Sequence, residues 1–215
     1  MTPRMEADFS WTDDVKATTP VHDKGEYELT ILRVRGRAWY KKDERGNYTK
    51  DITKVIALAP KLVGKYNSEG KLDPLELNDT ERACEDINLW VHSDGGRKMS
   101  KQQMMAISGY NPNDPKEEDN FNDFLRSSQL DLSSKVEESE EDDTKLTLVI
   151  GEGWEKLLKG KNVRASMDKE TRQIEGRDPV EQQNYVRLSP VNQASKKLVA
   201  SGGVKQTTGA AAARR

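Results

Sequence analysis

The chain has 215 residues, of which 33% are hydrophobic and 33% charged, and its formal net charge is −2 at pH 7. This length favours one domain with polar ends over two domains. One cysteine and two histidines exclude a disulfide framework and a structural zinc site. No apolar run is long enough for a membrane span, and the first ten residues lack the apolar segment of a secretory signal, so we expect a cytoplasmic protein.

The common enzyme motifs are absent from the sequence. It contains no Walker A loop, no G-x-S-x-G, no H-E-x-x-H and no G-x-G-x-x-G. Residues 137–143 include six acidic side chains in seven, but we interpret this run as a solvated loop because carboxylates on a mobile segment lack the fixed geometry of a metal site. We therefore expect a non-enzymatic protein that needs neither a cofactor nor a metal.

The small net charge hides a strong segregation of charge along the chain. Residues 26–66 carry ten basic and five acidic side chains, whereas residues 111–144 carry three basic and twelve acidic ones. The tail, 192–215, has five basic residues and no acidic ones. The field that steers a ligand is local, so partners are predicted from these patches, and the first basic block coincides with the best strand pattern.

The N-terminal 24 residues are polar and are predicted to form a flexible arm. The first strand begins at Gly25 and alternates with Tyr27, Leu29 and Ile31 on one face. Beyond this point the apolar residues move from odd to even positions, and this change of parity predicts a β-bulge. The new apolar set consists of Leu32, Val34 and Ala38. The opposite face then presents four large side chains, which are Arg33, Arg35, Arg37 and Trp39.

Further elements follow in chain order. A second strand runs from Tyr48 to Leu58 and is ended by Pro60, and a loop covers residues 64–85. A third strand, 86–92, turns Asn88, Trp90 and His92 outward. Ser100 and Gln103 are the pattern of a capping box for a helix ending near Gly109. Asp119 is predicted to cap a second helix containing Phe121, Phe124 and Leu125. The remaining predictions are a mobile acidic loop (133–144), a helical turn (153–159) and strands at 145–150, 162–167 and 183–188.

This order predicts a mainly β protein with inserted helices, in the α+β class. A long curved first strand and a helix between strands three and four favour a five-stranded Greek-key barrel of the OB type with disordered termini. An irregular α+β domain is the alternative. The predicted organisation is an arm (1–24), an OB-type domain (25–190) and a disordered basic tail (191–215).

Alternating cations on a curved strand can contact successive phosphates, and an aromatic ring among them offers a surface on which a base stacks. Such stacking contributes ~1–3 kcal/mol per base and does not depend on sequence. The alternative is a solvated edge strand whose charges only block edge-to-edge pairing. Trp90 is a second stacking candidate, and the alternative for it is packing beneath the 64–85 loop or the helices. The candidate nucleic-acid-binding residues are Arg33, Arg35, Arg37, Trp39, Tyr40, Lys41, Lys42, Tyr48, Lys50, Lys54, Trp90 and Arg164. Lys50, Lys54 and Arg164 are expected to line the same groove as the arginines and tryptophans.

Three segments resemble a known family in order and spacing. They are the opening strand 25–31, the helix pair spanning 96–109 and 121–125, and the closing unit that runs from Leu157 through Val163 to Arg187. Together they are similar to phage-encoded single-stranded-DNA-binding proteins with an OB-fold core. The resemblance covers about residues 25–190 and implies a protein that coats single strands in replication, recombination or repair in the host cytoplasm. Members commonly end in an acidic tail that recruits replication or recombination proteins, whereas this chain ends basic.

We therefore expect a sequence-tolerant binder of single-stranded DNA, with RNA as an open alternative ligand. A protein–protein interaction module, such as a virion or adaptor protein on an OB-like barrel, is the alternative from another class. A nuclease with carboxylates from separate loops is a third possibility that no spacing in the sequence supports.

Overall fold

A computed structural model describes residues 19–138, 146–173 and 179–191. Within them the chain forms eight strands and three helices, so the prediction of a mainly β protein with inserted helices is confirmed. The strands are β1 (Gly25–Lys42), β2 (Tyr48–Tyr66), β3 (Leu72–Pro74), β4 (Ile87–Trp90), β5 (Ser134–Glu138), β6 (Leu146–Ile150), β7 (Asn162–Arg172) and β8 (Val180–Pro190). The helices are α1 (Asp94–Ile107), α2 (Pro115–Ser127) and α3 (Gly153–Leu158).

The two longest strands, β1 and β2, form an antiparallel hairpin that organises the fold. A five-residue turn joins them, and in it the Asp43 carboxylate accepts the backbone N–H groups of Arg45 and Asn47. These hydrogen bonds lower the pKa of Asp43, the one from the Asn47 backbone most strongly. The core-facing side of the hairpin carries fully buried residues that include Leu29, Ile56 and Leu58.

The parity change in β1 corresponds to a shift of register with β2. Ile31 pairs with Pro60 and Arg33 with Ala59, so the extra residue is Leu32, as the bulge prediction requires. Leu32 is exposed, and its predicted place in the apolar set is wrong. Pro60 does not end β2 either. A proline without an N–H is tolerated where a bulge disrupts the ladder, and β2 continues to Tyr66.

The other strands extend the hairpin on both sides. β7 pairs with the first half of β1 and then with β8, while β6 contacts the second half of β1 and carries β5. β4 pairs with the middle of β2 and β3 with its end. Within the described residues no pairing joins β4 to β8, so the sheet is open and the five-stranded closed barrel is not confirmed.

Both predicted helices exist, but both predicted caps are wrong. Ser93 is the N-cap of α1 and accepts the backbone N–H of Gly96, which places Ser100 inside the helix, where its hydroxyl donates to the Trp90 carbonyl. Asp114 caps α2 by accepting from Lys116, with Pro115 in the first turn. The helix begins directly after Ser93 despite the two glycines in its first turn, because the cap hydrogen bond satisfies a backbone N–H of that turn.

Two predicted irregular segments are partly ordered. Residues 134–138 of the predicted acidic loop form β5, and residues 139–145 lie outside the described residues. At the end of the predicted arm, the backbone N–H of His22 donates to Gln183, and Lys24 forms an ion pair with Asp168. Residues 1–18 and the predicted basic tail from residue 192 onward also lie outside the described residues. None of the helices described here is long and apolar enough to cross a membrane.

Candidate nucleic-acid interface

The predicted site residues converge on one surface of the sheet, formed by β1, β2 and β4 and turned away from the core. We call this surface the outer face. Pairing between these strands produces two rows across it, one of Arg37, Val55 and Trp90 and one of Arg35, Ala57 and Asn88. A third row begins with Trp39, which pairs with Thr53. Strand alternation therefore brings the arginines of β1 and the tryptophan of β4 to the same surface, as predicted.

Three aromatic rings form a chain on the outer face. The rings of Trp39 and Trp90 have centroids 6.2 Å apart and meet edge to face at 76°. The ring of His92 meets Trp90 in the same way, with centroids 5.8 Å apart. Trp39 is 42% exposed and Trp90 is partly buried between its two neighbours. Trp39 thus offers the free ring surface, and Trp90 supports it through a contact geometry that aromatic pairs prefer.

The arginines of β1 differ in their contacts. Arg33 is exposed and forms no ion pair with any residue in the described ranges. Arg35 donates from Nη2 to Asp86 Oδ2 at 2.8 Å, and Arg37 donates from its own Nη2 to the same oxygen. Asp86 precedes β4, and alternation along the chain puts its side chain on the same side as those of Asn88 and Trp90. One carboxylate therefore holds two of the three arginines.

These contacts require the arginine side chains to lie along the sheet. β1 and β4 flank β2 on opposite sides, about 10 Å apart at the usual strand spacing. To reach Asp86, Arg35 and Arg37 must therefore extend across β2. Val55 and Ala57 of β2 are fully buried although they lie outside the core cluster, which is the burial that such a cover produces. Burial lowers the pKa of Arg37, and the charge of Arg35 lowers it further, while Asp86 opposes both effects.

The hairpin end adds more cationic groups near Trp39. Lys41 and Lys42 are exposed at the end of β1, and Lys42 Nζ lies 5.0 Å from the centroid of the Tyr48 ring. This is a cation–π contact between residues that pair across the hairpin. Lys41 shares the side of Trp39 in β1, whereas Lys42 alternates with Tyr40 and pairs with Tyr48, so alternation puts Lys42 and Tyr48 on the opposite side.

Three other predicted residues do not join this surface. Lys54 pairs with Ala38, and alternation puts both on the side opposite Trp39. Tyr40 follows the same alternation, and its hydroxyl donates to the Glu138 carboxylate of β5 at 3.2 Å. Lys50 is exposed and shares the parity of Lys54 in β2. The expectation that Lys50 and Lys54 line the same groove as Trp39 is wrong, because it ignored strand alternation.

Arg164 also lies away from the aromatic chain. It pairs with Glu28 near the start of β1, forms an ion pair with Glu26, and its guanidinium lies 4.2 Å from the centroid of the Tyr66 ring. Burial lowers the pKa of Arg164, and the nearby charge of Arg187 contributes. Its position at the far end of β1 corrects the expectation that it lines the same groove.

Sequence reasoning missed Asp86, which two of the arginines contact. Its signal was present in the alternation of residues 86, 88, 90 and 92, but an acidic residue was not considered for an anion-binding surface. Within the described ranges no three histidine, cysteine or acidic side chains are placed so that they could hold a metal ion. Neither a scan against protein-family models nor a search of curated proteins found a match to this sequence.

Proposed function

We propose that the outer face binds single-stranded DNA without sequence preference, by base stacking on Trp39 and phosphate contacts from Arg33, Arg35 and Arg37. The observation that carries this proposal is the exposed Trp39 ring, held edge to face by Trp90 beside the cationic strand. Lys41, which shares the side of Trp39, would extend the phosphate track toward the hairpin end. A stacking surface with flanking cations is the usual means of binding single strands without reading base edges.

We further propose that the sheet is a variant of the OB architecture. The support is its strand order: β1 pairs with β2, β2 with β4, and β1 also with β7, which carries β8. The helices α1 and α2 lie between β4 and β7 in the chain. In OB folds the face around strands two and three carries the nucleic acid, and β2 and β4 occupy those places here.

The test is the affinity of the full chain for a fluorescein-labelled dT oligonucleotide, measured by anisotropy. Trp39→Ala should lower the affinity by about 5- to 150-fold, which corresponds to the loss of one stacked base at ~1–3 kcal/mol. Trp39→Phe should retain most of the affinity because phenylalanine keeps an aromatic face.

A matched control is Phe124→Ala, which removes an aromatic side chain that is 36% exposed on α2, away from the outer face. It should leave the affinity unchanged. Equal losses in the two alanine variants would contradict the assignment of the site. A wild-type chain that binds no oligonucleotide would contradict the proposed function and favour the protein–protein module.

A further inference from the structure

The Asp86 carboxylate contacts both Arg35 and Arg37 on the outer face. Its side chain is 14% exposed, against 46% for Arg35 and 21% for Arg37. Both guanidiniums donate to a single atom, Oδ2. A negative charge on a surface that binds phosphates should by itself weaken binding, so a carboxylate beside these arginines needs a physical reason.

We infer that Asp86 is a positioning residue that holds Arg35 and Arg37 across β2 as a preformed site for one phosphate of a bound strand. This inference rests on the proposed function and adds to it the residue that arranges the site. The ligand group is a phosphodiester, and free inorganic phosphate shares its chemistry.

The donor count supports this role. A guanidinium has five N–H donors in a fixed fork, and Asp86 Oδ2 accepts one from each arginine. Most donors of the exposed Arg35 therefore remain available to a ligand.

The charges support it as well. Two guanidiniums on one strand face repel each other, and the charge of Arg35 contributes to the lowered pKa of Arg37. Asp86 offsets this repulsion and allows the two groups to approach one oxygen. Together the three side chains keep one net positive charge, so the cluster still attracts an anion.

The entropy of the arginine side chains sets the expected size of the contribution that Asp86 makes to affinity. Immobilising a flexible side chain on binding costs ~0.5–1.5 kcal/mol, a factor of about 2 to 12 in affinity. When Asp86 has already ordered two arginines, a bound phosphate need not order them. Without Asp86, that cost falls on the ligand, and we expect it to exceed the gain from removing a negative charge that two guanidiniums already offset.

The experiment compares two variants that remove the same charge from the same face. Asp86→Asn removes the contact to the arginines. Asp51→Asn removes an exposed carboxylate that strand alternation places on the outer face beyond Thr53, and Asp51 forms no ion pair with any residue described here. Binding of the labelled dT oligonucleotide is measured by anisotropy at several salt concentrations, and folding is checked by circular dichroism.

We expect Asp86→Asn to lower the affinity about five- to tenfold, and the loss to persist on extrapolation to 1 M salt, where the electrostatic contribution vanishes. Asp51→Asn should leave the affinity unchanged or raise it slightly. In an Arg35→Ala, Arg37→Ala background, Asp86→Asn should cause no further loss, since coupled residues are not additive. Asp86→Asn binding as tightly as wild type, or more tightly, overturns the inference while leaving the proposed function intact.

If Asp86→Asn does not fold, Asp86→Glu tests the same positioning role. It keeps the charge but moves the oxygen by one methylene, so positioning predicts a two- to threefold loss. Unchanged binding by Asp86→Glu contradicts positioning. Failure of the wild-type chain to bind single strands is a separate result, which overturns the proposed function itself.

Discussion

Arg33 is the arginine on which the electrostatic part of binding is most easily measured, because it has no ion-pair partner among the described residues. Arg33→Ala should reduce the slope of log affinity against log salt by about 0.7, the value for one neutralised phosphate on a single strand. Arg126→Ala on α2, whose partner is Asp123, is the control and should leave the slope unchanged. An unchanged slope for Arg33→Ala would remove Arg33 from the interface.

Cys84 gives a prediction about pH. Burial raises the pKa of the Cys84 thiol from 9.0 to about 12. Its contribution to the free energy of unfolding is therefore complete below pH 9, where the thiol is protonated in both states, and is lost as pH rises toward 12. We expect about 1 kcal/mol of stability to be lost through this group between pH 9 and pH 10.

The measurement is urea unfolding of wild type and Cys84→Ala at pH 7.5, 9 and 10. The alanine variant should lose less stability over this interval, whatever its stability at pH 7.5. Parallel pH dependences for the two proteins would show that the thiol is not the titrating group. Burial raises the pKa of Tyr185 as well, and the neighbouring Cys84 adds to that rise, so the difference between the two proteins reports the thiol together with its effect on Tyr185.

For individual residues, the sequence predicted the side of the sheet on which a side chain lies better than the side chains that it contacts. Alternation alone placed Arg35, Arg37, Trp39 and Trp90 on one surface, because a strand fixes which side each residue takes. It could not show that the arginines extend across β2 to Asp86. That contact depends on which strands are neighbours, and local pattern does not determine strand pairing.

Gly36 shows how closely two elements approach at the middle of β1. A Cβ at this position would collide with the backbone carbonyl of Leu148 in β6. Gly36→Ala should therefore destabilise the protein by about 1–3 kcal/mol, since the backbone of β6 must move away. The measurement is the urea midpoint at constant m-value.

Gly95→Ala is the matched control for this substitution. A Cβ at Gly95, in the first turn of α1, would meet nothing within 4 Å. Its effect on the free energy of unfolding should stay within about 0.5 kcal/mol, with a stabilising sign because alanine restricts the unfolded chain. Equal losses in the two variants would mean that the contact between β1 and β6 does not contribute to stability.

The sequence predicted some features of the strands correctly and others wrongly, and each outcome has a physical reason. The bulge after Ile31 followed from a parity change that only a register shift explains. Pro60 was taken as a strand end because its lack of an N–H disrupts an ordinary ladder, yet it lies at the bulge, where that loss is tolerated. β5 was missed because its glutamates suggest a loop, whereas its stability comes from pairing with the apolar strand β6.

Over the whole molecule, basic residues are concentrated in the β1–β2 hairpin and acidic residues in the segment that contains α2. The net charge is only −2, yet the segment that forms β1 and β2 has twice as many basic as acidic residues. The α2 side of the molecule is acidic, with Glu117 and Glu118 in the first turn of that helix. A polyanion should therefore approach from the hairpin side, and high salt should slow its association.

At the scale of the whole molecule, the sequence predicted the fold only in part. Six of the eight strands and the position of the helices followed from the sequence, but β3, β5 and the open gap between β4 and β8 did not, because strand pairing and closure depend on distances between segments far apart in the chain. The proposed interface does not require closure. It requires only that β1, β2 and β4 stay adjacent, which their pairing provides.

The central claim is that the outer face binds single strands through Trp39. The most direct measurement is tryptophan fluorescence of the full chain, titrated with a dT oligonucleotide, a mixed-sequence single strand and the matching duplex at low and moderate salt. Trp154 is buried, so among the tryptophans of the described residues the stacking signal should come mainly from the outer face. We predict quenching by both single strands that weakens with salt, a much weaker response to duplex, and loss of most of the quenching in Trp39→Phe. Equal quenching by single strand and duplex, or none by either, would contradict the claim.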